Sequence, residues 1–217
     1  MAKLALLGAT GNIGAEIRKE ALARGHQVTA IVRSKSRLAE EPNLSVVEGD
    51  AYDEAGLSAI IAGHDVFISA FSPDRGEPLE GKPDRLRQSH RAIVAAARSS
   101  KVKRFLLVGG VGSLWAAPDV LVVESQEYGH ANRGPTLANK EILDELRQDQ
   151  TGLVWTYVSP PRIIEAGDRT GKFRIGQDDL LRDPDGVSRI SRADFAIAIL
   201  DELERAAQLR RRFTVAY

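Results

Sequence analysis

The sequence predicts an α/β fold, a doubly wound and mostly parallel sheet with helices on both faces. Three observations carry this expectation. Apolar runs of strand length alternate with helical stretches that are apolar on one face, as far as Val158. Runs such as Asp65-Val-Phe-Ile-Ser-Ala-Phe71 are apolar nearly throughout, which is what parallel strands covered on both faces require. The first run, Leu4 to Leu7, is followed by Gly8, Gly11 and Gly14 and then by a helical sequence. Strand, glycine turn and helix in that order define a Rossmann-type unit.

Gly8-Ala9-Thr10-Gly11-Asn12-Ile13-Gly14 reads as a dinucleotide fingerprint. A pyrophosphate there must touch backbone N–H groups at the first helical turn. A β-carbon at Gly8 or Gly11 would block that approach or forbid the turn's φ values. The helix N-terminus adds partial positive charge, and Gly14 lets the helix, about 12–24, lie close on the strand. Arg24-Gly25-His26 makes a C-cap and turn. The second strand, Gln27 to Val32, runs into Arg33-Ser34-Lys35-Ser36-Arg37, with no acidic residue before Glu40. An acidic residue just beyond this strand would bind the adenosine ribose 2′-hydroxyl, whereas arginine accommodates a 2′-phosphate. NADP is therefore expected over NAD, with Arg33 as the determinant.

The third strand, Leu44 to Asp50, precedes a helix from Asp53 to Ile61. Asp50 either accepts from an adenine amino group or begins the turn. The fourth strand is Asp65 to Phe71. Ser72 to Pro83, polar and rich in proline, leaves its carboxyl end, where open α/β sheets bind ligands, and reads as a pocket rim. A helix from Asp84 to Ser100 leads to the fifth strand, Lys103 to Val108. That strand ends in Gly109-Gly110-Val111-Gly112-Ser113, where backbone can pass close to a neighbour. A second long loop, Leu114 to His130, precedes a helix from Leu137 to Arg147 and the sixth strand, Leu153 to Val158, which carries Trp155 in the core. Beyond Ser159-Pro160-Pro161 the alternation stops. There follow a short strand, Thr170 to Ile175, a polar loop, Asp178 to Gly186, and a helix that Ser191 can cap with Asp194 at the third position. Arg210-Arg211-Arg212 reads as a solvated turn before the last strand, Arg212 to Tyr217. A single domain over residues 1–217 is expected, with substrate-side segments at about 72–83, 114–130 and 160–190.

Thirty basic residues balance thirty acidic ones, so no overall field favours nucleic acid or an anionic membrane surface. Cysteine is absent, which excludes disulfides and thiolate metal sites. No run approaches the roughly twenty apolar residues that cross a bilayer, and no signal peptide is evident, so a soluble, cytoplasmic protein is expected. His26, His64, His90 and His130 are scattered without metal-ligand spacing and read as surface or turn residues, and no metal is expected. Neither a Gly-x-Ser-x-Gly elbow nor a Gly-Lys-Ser/Thr phosphate loop occurs.

The ordered set Gly8-Ala-Thr-Gly11-Asn-Ile-Gly14, Val32-Arg33, Gly49-Asp50, Gly109-Gly110-Val-Gly112-Ser113, Val158-Ser-Pro-Pro161 and Ile190-Ser191-Arg192-Ala193-Asp194-Phe195-Ala196 resembles a known group. It is similar to the atypical short-chain dehydrogenases with an NAD(P)-binding, NmrA-like domain, nearest the NADH-flavin reductase and biliverdin reductase B-like branch. The resemblance implies an NAD(P)H-dependent reductase whose substrate lies over the nicotinamide. The expected cofactor-binding set is Gly8, Thr10, Gly11, Asn12, Ile13, Arg33, Asp50, Ala51, Ala70, Phe71, Ser159 and Pro160. Ser113 is the one catalytic candidate, able to bond substrate or carboxamide, or simply to cap its loop. The Tyr-x-x-x-Lys pair of standard short-chain dehydrogenases is missing. Four residues after Tyr128 stands Asn132, and Lys140 is at the wrong spacing. The expected chemistry is hydride transfer from NADPH to a small-molecule flavin, quinone or similar conjugated acceptor. The alternatives are a non-catalytic NADP sensor and, further off, a nucleotide-sugar epimerase or dehydratase. Oligomeric state is left open.

Overall fold

A computed structural model describes residues 1–35, 38–73, 81–125, 128 and 133–217. The first half of the chain runs β1 (Lys3–Leu7), α1 (Asn12–Ala23), β2 (Gln27–Val32), β3 (Leu44–Glu48), α2 (Glu54–Ile61), β4 (Val66–Ser69) and α3 (Lys82–Ser99). It continues through β5 (Arg104–Val108), a small hairpin of β6 (Trp115–Ala117) and β7 (Val120–Leu121), and α4 (Arg133–Arg147). The remainder is β8 (Trp155–Ser159), β9 (Ile163–Glu165), β10 (Arg174–Gly176), β11 (Arg189–Ser191), α5 (Arg192–Arg205) and β12 (Arg211–Ala216). Eight strands form one sheet in the order β10-β12-β8-β5-β4-β1-β2-β3. All neighbours are parallel except β10, which runs antiparallel to β12 at the edge. This is the expected doubly wound fold.

Successive residues of a strand point to opposite faces, so each strand feeds two cores. Leu4, Leu6 and Ile68 join Phe195 and Phe213 under α1 and α5. Ala5, Leu7 and Phe67 join Phe105, Leu107 and Tyr157 under the other helices. Phe67 and Phe105 stack with ring centroids 5.3 Å apart. Burying each such side chain stabilises the fold by about 1.5–3 kcal/mol. Trp155 is buried, as expected.

Several elements differ from the sequence reading. The helix expected from Leu137 begins at Arg133, because Pro135 falls in its first turn, where the missing N–H has no partner to lose. Pro83 is accommodated in α3 in the same way. The loop after Ser113 contains the β6–β7 hairpin, and β9 pairs with β11 in a separate parallel ribbon. Three of the four histidines are corrections: His26, His64 and His90 are buried. His64 earns its place by bonding Ile61 O (3.0 Å) and Thr29 Oγ1 (2.8 Å), and His90 Nδ1 donates to Leu86 O (3.1 Å). His130 lies outside the described residues. The Arg210–Arg212 turn is a correction too. Arg212 is buried, held by Asp178 and by Ser113.

Candidate functional site

The chain leaves β1 toward β2 and β3 and later returns to place β4 on β1's other side. That reversal makes the carboxyl ends of β1 and β4 the crevice of the sheet. Gly8 and Ala70 meet there. Ala70 N donates to Leu7 O (3.0 Å), and a β-carbon on Gly8 would stand 2.7 Å from Ala70 O. Gly8 also has φ +83°, which favours glycine. Two constraints therefore fix the first glycine, and both come from the fold.

Gly14 is also fixed by packing. A β-carbon on it would lie 2.1 Å from Gly8 O, so α1 sits directly on the glycine turn. Gly11 differs from both. It precedes α1 with φ −74° and ψ 166°, a conformation open to any residue. Its N–H donates to Gly8 O (2.9 Å). The N-terminus of α1 receives no side-chain cap, so no capping oxygen takes the amides of its first turn. Thr10 and Asn12 are exposed beside it, and Ile13 packs against the core under α1.

Arg33 follows β2 directly and is exposed. Its guanidinium makes no hydrogen bond or ion pair among the described residues. Arg37 of the same basic loop lies outside them. Asp50 is exposed, and its carboxylate accepts from Tyr52 N (3.0 Å). That is the turn-forming alternative, and it leaves the second carboxylate oxygen available. Ala51 is buried behind it, and Phe71 meets Tyr52 edge-on at 6.4 Å between ring centroids. Ser159 ends β8, fully buried, and Pro160 follows half-buried. The Ser159 hydroxyl has no hydrogen-bond partner among the described residues.

Ser69 and Arg18 escaped the sequence reading. The Ser69 hydroxyl, at the end of β4, is buried and as unpartnered as that of Ser159. Its one signal was being the only polar residue between Val66 and Phe71. Arg18 stands one turn beyond Gly14 and donates to Ala9 O (3.1 Å), tying α1 to the glycine turn. Nothing in the sequence singles it out.

Ser113 is placed differently from a substrate contact. Its hydroxyl accepts from Arg212 Nη1 (3.1 Å), and its carbonyl accepts from the same nitrogen (2.9 Å). These bonds describe the loop-holding alternative. The glycine segment before it has packing reasons of its own. A β-carbon on Gly109 would overlap the Tyr157 ring, and one on Gly112 would overlap Thr136. Tyr157 is buried, which pushes its phenol up to about 12. Its hydroxyl donates to Asn139 O (3.1 Å) and accepts from Gly110 N (3.1 Å). Of the other phenols, Tyr128 shares a 2.5 Å hydrogen bond with Thr136, and Tyr217 donates to Asp194 (2.9 Å). Lys140 is ion-paired with Asp144 at 2.6 Å.

The segment after β9 is pinned across the helices of one face. Asp194, fully buried, accepts from Thr170 N (2.8 Å), Thr170 Oγ1 (2.6 Å) and Gly171 N (2.8 Å). Ser191 caps α5 as expected, accepting from Asp194 N (3.0 Å), but Asp194 turns toward this segment instead of closing a capping box. Arg169 reaches back to Glu20 on α1 with two bonds of 2.8 and 2.9 Å. The Glu20 carboxyl is held below its ordinary value chiefly by that guanidinium.

The chain belongs to the NAD(P)H-binding family, whose model matches residues 8–204. A nicotinamide dinucleotide is thus the cofactor class of this family. Similar proteins carry differing names. YwnB of Bacillus subtilis, itself uncharacterised, is 36% identical over 98% of this chain and 97% of its own length. A Bacteroides thetaiotaomicron structure described as a candidate epimerase is 34% identical, with TM-score 0.90 over 100% of this chain and 97% of that one. A Streptococcus pneumoniae structure described as a candidate NADH-flavin reductase is 31% identical, with TM-score 0.83 over 100% of this chain and 99% of that one. Among the described residues, no helix is long and apolar enough to cross a membrane.

Proposed function

We propose that this chain is an NADPH-dependent reductase that passes hydride to a flavin, a quinone or a similar conjugated acceptor. The residues present fit the dinucleotide. Gly11 has no conformational reason to be glycine, α1 has no side-chain cap, and the Ser159 hydroxyl lacks a partner among the described residues. In this reading the α1 amides, with Gly8 and Gly11 at the turn, bind the pyrophosphate, and Thr10, Asn12 and Ile13 border it. Arg33 takes the 2′-phosphate in a forked, charge-assisted contact, Asp50 and Ala51 border the adenine, and Ala70 and Phe71 line the crevice floor. Ser159 and Pro160 adjoin the nicotinamide end. Reduced nicotinamide would supply the hydride, and the acceptor's proton comes from water.

The observation that carries this reading is that neither Tyr128 nor Tyr157 is paired with Lys140 among the described residues. Tyr128 bonds Thr136, Lys140 pairs with Asp144, and Tyr157 is sealed in the core. A carbonyl reductase or an epimerase needs a phenol held beside a lysine, whereas a conjugated ring accepts hydride with proximity alone. The same observation supports a second reading, a non-catalytic NADP sensor. Purified protein mixed with NADPH and FMN, riboflavin or a quinone is expected to consume the reduced cofactor. Tight NADPH binding without turnover across that panel would favour the sensor.

A further inference from the structure

The amino ends of β8 and β12 lie at the opposite end of the sheet from the glycine turn, and a cavity of about 300 Å³ opens there. The arginine run read as a solvated turn forms one wall of it, and the last residue of α4 forms another. Arg147, Arg210, Arg211 and Arg212 line the cavity with Gln177, and Asp178 is the only carboxylate among its lining residues. Asp178 serves two guanidiniums at once, accepting from Arg147 Nη2 (3.0 Å) and Arg212 Nε (2.9 Å). Arg147 has a further, longer contact with Asp144 at 3.6 Å, a carboxylate already paired with Lys140. Among the described residues the Arg210 guanidinium bonds a neutral carbonyl, Gly152 O (3.2 Å). Arg211 is exposed, and its guanidinium has no hydrogen bond or ion pair among the described residues. Arg212, meanwhile, is buried.

Four guanidiniums lining one cavity with a single carboxylate repel one another, although the buried Arg212 already has its acceptors in Asp178 and Ser113. An anion in the cavity relieves that repulsion. Planar guanidinium forks match the paired oxygens of a phosphoryl group, whose double negative charge offsets more of the excess than a single carboxylate can. The volume is at the lower end for ligand pockets, suiting a phosphate or a small phosphorylated molecule and not a second dinucleotide. We infer that this arginine-lined cavity is a second ligand site, specific for a phosphoryl group and separate from the cofactor crevice.

Calorimetric titration of the full chain with inorganic phosphate and with glucose 6-phosphate tests this, against chloride at matched ionic strength. Arg211→Gln is the informative variant, since the Arg211 guanidinium has no partner among the described residues whose loss would unfold the chain. Saturable binding of either probe is expected in the wild type and in Arg33→Asp, weakened roughly tenfold in Arg211→Gln. Tighter binding of glucose 6-phosphate would identify a carried phosphoryl group as the ligand, and equal binding a free phosphate. Binding no better than chloride overturns the site. So does binding that survives Arg211→Gln unchanged, or that disappears only in Arg33→Asp and therefore belongs to the cofactor crevice.

Discussion

Two of the fingerprint glycines should respond to the same substitution in opposite ways. In Gly14→Ala the new β-carbon would stand 2.1 Å from Gly8 O, about 0.9 Å inside the 3.0 Å limit of real contacts, and the obstacle is backbone. Neither partner can rotate away, so α1 must lift from β1 or tilt against α5. Overpacking of this kind costs about 1–3 kcal/mol, and the rigid geometry puts this case near 3. For a chain of this length that lowers Tm by roughly 6–12 °C, at 2–4 °C per kcal/mol. In Gly11→Ala the backbone is already at φ −74°, so the backbone adds no strain and the poorer N-cap costs about 0.5–1 kcal/mol. Its methyl group, however, would stand where the pyrophosphate must approach. Thermal unfolding followed by far-UV circular dichroism, and NADPH affinity by fluorescence titration, separate the two. Gly14→Ala should lose stability, and Gly11→Ala should lose at least roughly tenfold in affinity while staying folded. A Gly14→Ala protein melting with the wild type would refute the packing argument. A Gly11→Ala protein binding NADPH normally would refute the phosphate seat.

Other outcomes follow from the same geometry. Arg33→Asp should weaken NADPH far more than NADH, because it exchanges a forked phosphate contact for a repulsion; equal losses would remove Arg33 from the specificity assignment. Tyr157→Phe removes the hydroxyl's bonds to Gly110 N and Asn139 O and should cost about 1–3 kcal/mol in urea unfolding, with turnover retained; lost turnover at normal stability would mean the phenol takes part in the chemistry. Burial holds His90 neutral, lowering its pKa from 6.5 to about 4. The unfolded chain therefore takes up that proton first, and the associated stability is complete above about pH 6.5 and lost as pH falls toward 4, in total about 3 kcal/mol. His90→Gln should flatten that part of the stability profile, and an unchanged slope would assign it to other groups. Asp194→Ala should release the Thr170–Gly171 segment, seen as new proteolytic cleavage there and a loss of about 2–4 kcal/mol.

The fold was legible because its signals are local. Gly8 to Gly14 declared a strand–turn–helix unit, and apolar runs such as Val66 to Phe71 could only be strands covered on both sides. The features that stayed hidden depend on partners far along the chain. Arg212 looks solvated until Asp178 and Ser113 fold against it, and no periodicity reports that meeting. His64 looks like a turn residue until Thr29, on a neighbouring strand, offers its hydroxyl. β6, β7, β9 and β11 span two or three residues each, too short for an alternation pattern, and only pairing defines them. At the crevice, Gly8 could be picked out because its residue type is conformationally restrictive. Ser69 could not, since a serine in an apolar strand looks like tolerated polarity until its hydroxyl proves to have no partner. Ser113 followed from resemblance alone, and its bonds to Arg212 give it another occupation.

β10 pairs with β12 and with no other strand, yet it precedes that strand in the chain by more than thirty residues. A chain emerging from a ribosome N-terminus first can assemble β1 to β5 and their helices as they appear. Residues 174–176 must wait, because the edge they join does not exist until residues 211–216 arrive. Arg174 also bonds Tyr217 O, and Tyr217 OH holds Asp194, which holds Thr170 and Gly171, so the stretch from Thr170 to Gly176 is latched by residues 211–217. The part of the sheet that carries the glycine turn can thus form early, while the antiparallel edge closes last.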